Sequence, residues 1–164
     1  MWFRKVLWTS DDHVLMLQRA VLGLVFFAHG AQKVLGWFGG TGFDATLGMF
    51  THMGIPAGFA VLAMLAEFLG GIGLLLGLFS RIAALGIAID MAVAVLLVHA
   101  QNGLFMNWSG NQGSEGFEYH LLAISMATLI VVRGAGAWSL DRVLESWWSG
   151  GRTLHIHVEP QPSH

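Results

Sequence analysis

Eight ionisable side chains stand out because they fall within or beside long apolar stretches of the sequence. An ionisable group in hydrocarbon costs at least ~2.5 kcal/mol, so each should face neighbouring helices and have a partner. Groups placed in this way either hold helices in register through ion pairs or bind ligands and carry protons. The eight residues are Arg19, His29, Lys33, Glu67, Asp90, His99, Glu118 and His120.

Helical rise sorts these residues into two layers. The inner-to-middle layer, roughly 9–14 Å from the cytoplasmic edge, holds Arg19, Glu67 and Asp90. Because Arg19 can neutralise only one of the two acids, the other acid is either protonated or paired elsewhere. The alternative is an ion-pair network that fixes helix register and does no chemistry. The outer layer, roughly 24–30 Å from that edge, holds His29, Lys33, His99, Glu118 and His120.

The first helix turns its polar residues towards its neighbours. At about 100° per residue, Arg19, His29 and Lys33 fall within one arc of about 80°. His29 and Lys33 are four residues apart and form a cationic pair open to the outer side. Such a pair suits a small anion, a quinone carbonyl or a proton path.

The helical wheel limits how many of the outer residues can meet. Asp90 and His99 are nine residues apart, which places them on opposite sides of an ideal helix, and Glu118 points away from His120. The group converges only if the third or fourth helix is irregular or starts late. No motif directs two histidines to one site, so no metal site is predicted and haem is disfavoured.

Membrane-spanning helices are the elements that must position these residues. Of 164 residues, 55% are hydrophobic and 11% are charged, whereas a soluble domain carries about 25% charged residues. About 20 mostly apolar residues cross the hydrocarbon core. Four stretches meet or approach that length, at about 14–35, 57–79, 82–99 and 117–132, the last being the shortest. The predicted fold is therefore all-α, an integral membrane four-helix bundle.

Shorter segments surround this bundle. A glycine-rich break in the first loop precedes a short amphipathic helix over about 44–52, which we expect to lie on the membrane surface or to re-enter the membrane in part. A second interfacial helix, about 139–148, ends in two tryptophans that suit an anchor in the headgroup region. We expect residues 1–149 to form one membrane domain and residues 150–164 to form a polar, mobile cytoplasmic tail.

The positions of Lys and Arg give the bundle a direction. With the N-terminus inside, seven of the eight cations fall in or near cytoplasmic segments, and Lys33 alone falls on the outer side. The loop between the third and fourth spans contains Glu115 and no Lys or Arg. Because cytoplasmic segments carry the excess of positive charge, both termini are predicted to lie in the cytoplasm.

An ordered set of short motifs resembles the DoxX family. The resemblance extends from about Arg19 to Asp141, most of the chain, and depends on the order of the motifs. Its elements are Arg19, Leu22-Gly23, His29-Gly30 with Lys33, Gly54-Ile55-Pro56, Glu67 with Gly70-Gly71, Leu74-Leu75-Leu76-Gly77-Leu78 with Arg81, His99, Glu118-Tyr119, Gly134-Ala135-Gly136 and Ser139-Leu140-Asp141.

The resemblance implies a four-helix bundle of the bacterial inner (plasma) membrane. Similar proteins include small subunits of a thiosulfate:quinone oxidoreductase. Others belong to a membrane-associated oxidoreductase assembly with a superoxide dismutase and a thiosulfate sulfurtransferase, linked to thiol and oxidative stress. The positions that match the family pattern are Arg19, His29, Lys33, Glu67, His99 and Glu118, whereas Asp90 and His120 are included on burial alone.

Three functions compete on this evidence. The first is the membrane subunit of a quinone- or thiol/sulfur-linked redox assembly, with quinone as a candidate ligand and redox proteins as partners. Cysteine is absent, so any thiol chemistry belongs to a partner or substrate. The second is a non-catalytic anchor or assembly factor whose segment 133–148 docks a soluble enzyme. The third is a small proton-coupled transporter that uses Glu67 and Asp90 and needs a homo-oligomer. A net charge of −2 gives no nucleic-acid signature.

Overall fold

The computed structural model describes residues 6–148, and over that range it is helical without strands. The helix that begins at Ser80 is continued by a π-helical turn at Val95–His99 and a 3₁₀ turn at Ala100–Asn102. The predicted tail at 150–164 lies outside the described residues. The helices are α1 (His13–Leu35), α2 (Phe43–His52), α3 (Ala57–Leu76), α4 (Ser80–Ala94), α5 (Glu118–Arg133) and α6 (Leu140–Trp148).

Three of the helices are long and apolar enough to cross a membrane. They are α1, α3 and the continuous segment Ser80–Asn102 that begins with α4. Helix α5 has 16 residues, which corresponds to about 24 Å against a hydrocarbon thickness of about 30 Å. The chain is therefore a membrane protein with three candidate spans, and a fourth crossing by α5 stays a prediction.

Four helices pack in a ring around one apolar core. Helix α1 packs on α3, α3 on α4 and α4 on α5, and α5 closes the ring by contacting α1. Helix α2 lies against α3 and α1 at the end of the bundle where those two helices are joined. The buried core residues are Leu15, Leu22, Phe26, Leu74, Ala84, Ile87, Met91, Ala123, Ala127 and Ile130.

Glycines allow α1 and α3 to approach until their backbones touch. A Cβ atom added to Gly30 would lie 2.4 Å from the Cα of Phe68, and one added to Gly71 would lie 2.3 Å from the backbone nitrogen of Phe27. Small residues are typical of such membrane-helix contacts, because dispersion forces between close backbones replace the hydrophobic effect. This seam fixes the level at which α1 and α3 side chains meet.

Two arginines donate hydrogen bonds to the carbonyl groups at the C-terminal ends of α3 and α5. Arg19 of α1 is buried and donates to the carbonyls of Leu74 and Leu75 at the end of α3. Arg81 of α4 donates to the carbonyls of Val131 and Val132 at the end of α5. Helix C-termini leave carbonyls unpaired and carry partial negative charge, so a guanidinium satisfies both requirements.

Asp141, in the first turn of α6, holds the connection between α3 and α4. Its two carboxylate oxygens accept from the backbone N–H groups of Phe79, at 2.7 Å, and Ser80, at 2.9 Å. Burial raises the pKa of the Asp141 carboxyl, while these hydrogen bonds and the charge of Arg19 act in the opposite direction. The α3–α4 turn, Arg19 and Asp141 thus form one buried polar joint, which we call the turn end of the bundle.

Candidate functional site

A second group of polar residues lies near the other end of the bundle, where residues 103–117 connect α4 to α5. We call this the loop end. Lys33 of α1 forms an ion pair with Glu67 of α3, and the Lys33 and Glu67 side chains are 28% and 6% exposed. A lysine side chain on a helix points back towards the N-terminus. Lys33 can therefore reach Glu67 beside the Gly30–Phe68 contact.

This ion pair corrects the two-layer prediction. Glu67 was placed with Arg19 in the inner layer, but its partner is Lys33 of the outer layer. The reason is that α1 and α3 are staggered: Gly30 lies five residues before the end of α1 and packs against Phe68, near the middle of α3. Equal numbers of residues from the ends of two spans therefore do not give equal depths.

Asp90 of α4 is the second acid near the ion pair. It is partly buried on α4, which packs against α3, the helix that carries Glu67. Among the described residues no hydrogen-bond donor contacts its carboxylate. Arg19 does not neutralise it either, because the Arg19 donors go to backbone carbonyls, including that of Ala135 at 2.7 Å.

The π-helical turn brings two histidines together. Nine residues of ideal helix would turn His99 away from Asp90, but the wider turn at Val95–His99 changes the direction in which His99 points. The rings of His99 and His120 have centroids 4.1 Å apart at an interplanar angle of 40°. The π-helical turn after α4 makes that span irregular, and α5 starts at Glu118. These two features allow His99 and His120 to converge.

Tyr119 joins the histidines to the ion pair. Its ring centroid lies 6.2 Å from that of His29, which is one helical turn before Lys33 on α1, and 5.5 Å from that of His120. Sequence reasoning did not select Tyr119 because it does not ionise readily. Its signal was that it is the one tyrosine of the chain and lies between two selected residues.

Two buried polar atoms of this group have no partner within residues 6–148. They are the hydroxyl oxygen of Tyr119 and Nδ1 of His120. His120 is 6% exposed. Leaving such an atom unsatisfied costs about 1–3 kcal/mol. Either water or a ligand is therefore expected to bind there in the working protein.

His99 and His29 occupy the accessible side of the group. His99 is partly buried, and its Nδ1 lies 2.9 Å from the carbonyl oxygen of Glu115 in the loop. Since a carbonyl can only accept, Nδ1 carries the proton and Nε2 of a neutral His99 is left as an acceptor. His29 is exposed and has no hydrogen-bond partner in the described part of the chain.

Arg19 and Glu118 are the two selected residues that lie outside this group. Arg19 belongs to the turn end, where its contacts are backbone carbonyls. Glu118 organises the connecting loop: its Oε1 accepts from the backbone nitrogen of Met106 and from the indole nitrogen of Trp108, both at 3.0 Å. We define the polar cluster as Lys33, Glu67, Asp90, His29, Tyr119, His99 and His120.

The polar cluster suits proton and hydrogen-bond chemistry better than metal binding. In the part of the chain that the structure describes, no three His, Cys, Asp or Glu side chains form a group that could hold a metal ion. The cluster instead combines an ion pair, a second carboxyl, imidazoles and a phenol in an apolar bundle. These groups donate and accept protons and bind carbonyl or hydroxyl oxygens.

Comparison with known proteins agrees with the membrane fold and the ordered motifs. The profile of the DoxX family matches residues 14–100, which include α1, α3 and the whole of the π-helical turn. The chain belongs to the DoxX family. No solved structure matches the chain.

Three relatives cover between 68% and 84% of the chain and carry few functional names. "Inner membrane protein YqjF" of Escherichia coli strain K12 is 28% identical over 138 residues, covering 84% of this chain and 97% of that protein. "Uncharacterized membrane protein Rv3486" of Mycobacterium tuberculosis is 34% identical over 134 residues, 77% of this chain and 78% of the relative. "Putative oxidoreductase CatD" of Bacillus subtilis is 29% identical over 111 residues, 68% and 73% respectively.

Proposed function

We propose that this DoxX-family protein is the membrane subunit of a redox assembly and that its polar cluster binds the headgroup of a quinone. The observation that carries the proposal is the pair of unsatisfied buried atoms, the Tyr119 hydroxyl and His120 Nδ1, beside the Lys33–Glu67 ion pair. The name of one relative, "Putative oxidoreductase CatD", supports the reaction class.

The chemistry of a quinone headgroup matches these groups. A quinone presents two carbonyl oxygens that accept hydrogen bonds, and its reduction to the quinol takes up two electrons and two protons. The Tyr119 hydroxyl can donate to one carbonyl, and His120 can donate or accept depending on its tautomer. The isoprenoid tail of a quinone would lie among the apolar side chains on the outside of the bundle.

The electrons must come from a partner. The chain contains no cysteine, so a thiol or sulfur donor would be oxidised on another subunit. What this chain contributes is a binding place, fixed charges and groups that hold protons next to the acceptor. General acid–base groups placed in this way typically contribute 10²–10⁴-fold to a rate.

The proposal includes a bacterial inner-membrane location with α5 as the fourth crossing and both termini in the cytoplasm. The distribution of Lys and Arg supports this orientation. The antiparallel contact of α5 with α4 also returns the chain to the turn end, where Arg81 binds the last carbonyls of α5.

Two single substitutions test the proposed headgroup site. In membranes that contain the native partners, Tyr119→Phe and His120→Gln should each lower the rate of quinone reduction about tenfold or more, by loss of a hydrogen bond to the acceptor. The matched control is His52→Gln, at the exposed end of α2 and outside the polar cluster. It should leave the rate unchanged.

The outcomes separate the three candidate functions. Unchanged quinone reduction in both variants, together with protein purified in native lipid that carries no quinone, would contradict the proposal. Loss of partner recovery on deletion of α6, with cluster variants fully active, would instead favour an anchor. A proton-coupled substrate flux in proteoliposomes that Glu67→Gln abolishes would favour a transporter.

A further inference from the structure

The polar cluster contains two acids, Glu67 and Asp90. Its cation, Lys33, contacts Glu67. We propose that Asp90 is a proton-binding site: Lys33 and Glu67 form a fixed ion pair, and Asp90 is the neutral acid that holds an exchangeable proton. The assignment goes beyond the proposed redox function, because it depends on the cluster geometry alone and would hold for any ligand of the site.

The ion pair accounts for the charge of Lys33. The ammonium group contacts both carboxylate oxygens of Glu67, whose side chain is 6% exposed. A buried ion pair is tolerated when the two charges face each other at hydrogen-bond distance. Lys33 therefore neutralises Glu67, and the pair has no net charge to offer a second acid.

The surroundings of Asp90 disfavour its anion. No described residue donates a hydrogen bond to it, and Lys33, the cation of the polar cluster, is already paired with Glu67. The remaining neighbours on α4 are apolar, with Ile87 and Met91 in the core. A carboxylate without a donor in an apolar bundle is more costly than the neutral acid.

The location of Asp90 gives its proton a use. It lies on the helix that continues through the π-helical turn to His99, whose ring centroid lies 4.1 Å from that of His120. A neutral carboxyl can release a proton to a neighbouring base and take one back without breaking the Lys33–Glu67 pair.

A hydrophobic carbodiimide, dicyclohexylcarbodiimide, tests the proton content of each acid. A protonated carboxyl adds its O–H across one C=N bond of the reagent, giving an O-acylisourea that rearranges to a stable N-acylurea. The whole reagent is retained and nothing leaves, so the modified residue gains the reagent mass. An ionised carboxylate does not react, and Asp44 of α2, which is exposed, is the internal control.

The wild-type protein in lipid should be labelled at Asp90 and not at Glu67 or Asp44, as read by peptide mass spectrometry. Asp90→Asn should abolish the labelling. Lys33→Gln should make Glu67 reactive as well, because its ion pair with Lys33 has been removed. The extent of labelling at Asp90 should fall as the pH is raised.

A second measurement guards against limited access of the reagent. The infrared carbonyl band of a protonated carboxyl should be present in the wild type and absent in Asp90→Asn. Labelling of Glu67 in place of Asp90, or an infrared spectrum in which that band is missing or survives in Asp90→Asn, would overturn the assignment. Since no quinone or partner is used, either result leaves the proposed redox function separately testable.

Discussion

Arg19 has a role that differs from the one its sequence position indicates. A buried arginine on the polar arc of α1 was expected to neutralise an acid of the inner layer. Instead its guanidinium binds carbonyls at the end of α3 and in the segment after α5, including that of Trp138 at 3.2 Å. The sequence could not show this, because backbone carbonyls carry no residue signature.

We predict that Arg19→Gln destabilises the protein without a specific effect on the polar cluster. Several buried carbonyls would lose their donor, at about 1–3 kcal/mol each. The expected result is a melting temperature lowered by 10 °C or more in detergent, measured by the loss of monodisperse protein after heating. A normal melting temperature combined with lost quinone reduction would instead place Arg19 in the functional site.

Residue identity predicted the cluster better than it predicted the pairing within it. Lys33, Glu67, Asp90, His29, His99 and His120 were selected because ionisable groups are costly in hydrocarbon. Their partners depend on helix stagger and on side-chain direction, which the sequence does not state. Tyr119 was missed because the selection depended on the free-energy cost of placing an ionisable group in hydrocarbon. A phenol is tolerated at a membrane interface, so this cost does not single it out.

At the scale of elements, apolar length predicted the helices well. The observed α1, α3 and α5 begin and end within three residues of the predicted stretches, and the short helix of the first loop is present at Phe43–His52. The π-helical turn was not predicted as such. Its i→i+5 hydrogen bonds enclose one residue more than those of an α-helix, and neither composition nor periodicity marks where this wider turn occurs.

The π-helical turn can be tested with cysteine pairs, which a chain without native cysteine makes easy to interpret. With His99 and His120 both replaced by cysteine, a short bifunctional thiol reagent should cross-link the two positions in high yield. Deletion of Leu97, an exposed residue of that turn, should restore regular helix and keep the cross-link, because the wide turn absorbs one residue. In a segment that was already regular helix, the same deletion would rotate position 99 by about 100° and abolish the cross-link. The substitution Leu97→Ala is the control and should leave the cross-link intact.

The α1–α3 seam sets the position of the Lys33–Glu67 pair. Gly30→Ala would place a Cβ 2.4 Å from the Cα of Phe68, and backbone cannot yield as a side chain can. We expect a lower melting temperature. We also expect more carbodiimide labelling of Glu67, because its contact with Lys33 would be disturbed. Gly58→Ala in the same α3 helix has no atom within 4 Å of the added Cβ and should leave both unchanged.

At the scale of the whole molecule, the open question is whether α5 crosses the membrane. Single cysteines at Gln112, in the loop, and Ser146, in α6, should lie on opposite sides of the bilayer. On intact cells, a membrane-impermeant maleimide should label position 112, and it should label position 146 only after lysis. Labelling of both positions from the outside would show that α5 does not cross, and the reverse pattern would show an inverted orientation.

The bundle as a whole has an apolar exterior and an apolar core, with polar groups near its two ends. Its turn end is closed by arginine–carbonyl and aspartate–amide hydrogen bonds, which give stability. Its loop end contains the ion pair, the second acid and the unpartnered atoms of Tyr119 and His120. This division suggests that the turn end holds the helices together and that the loop end binds a ligand. A passive membrane anchor does not require such a difference between its ends.

Photolabelling with an azido-quinone in native membranes tests the quinone site most directly. We predict that label, mapped by mass spectrometry, concentrates on peptides that contain Phe26 to Lys33 and Phe117 to Leu121. It should be displaced by excess unlabelled quinone and reduced in Tyr119→Phe. Label spread evenly over the lipid-facing residues, unaffected by competitor or by Tyr119→Phe, would contradict a quinone site in the polar cluster.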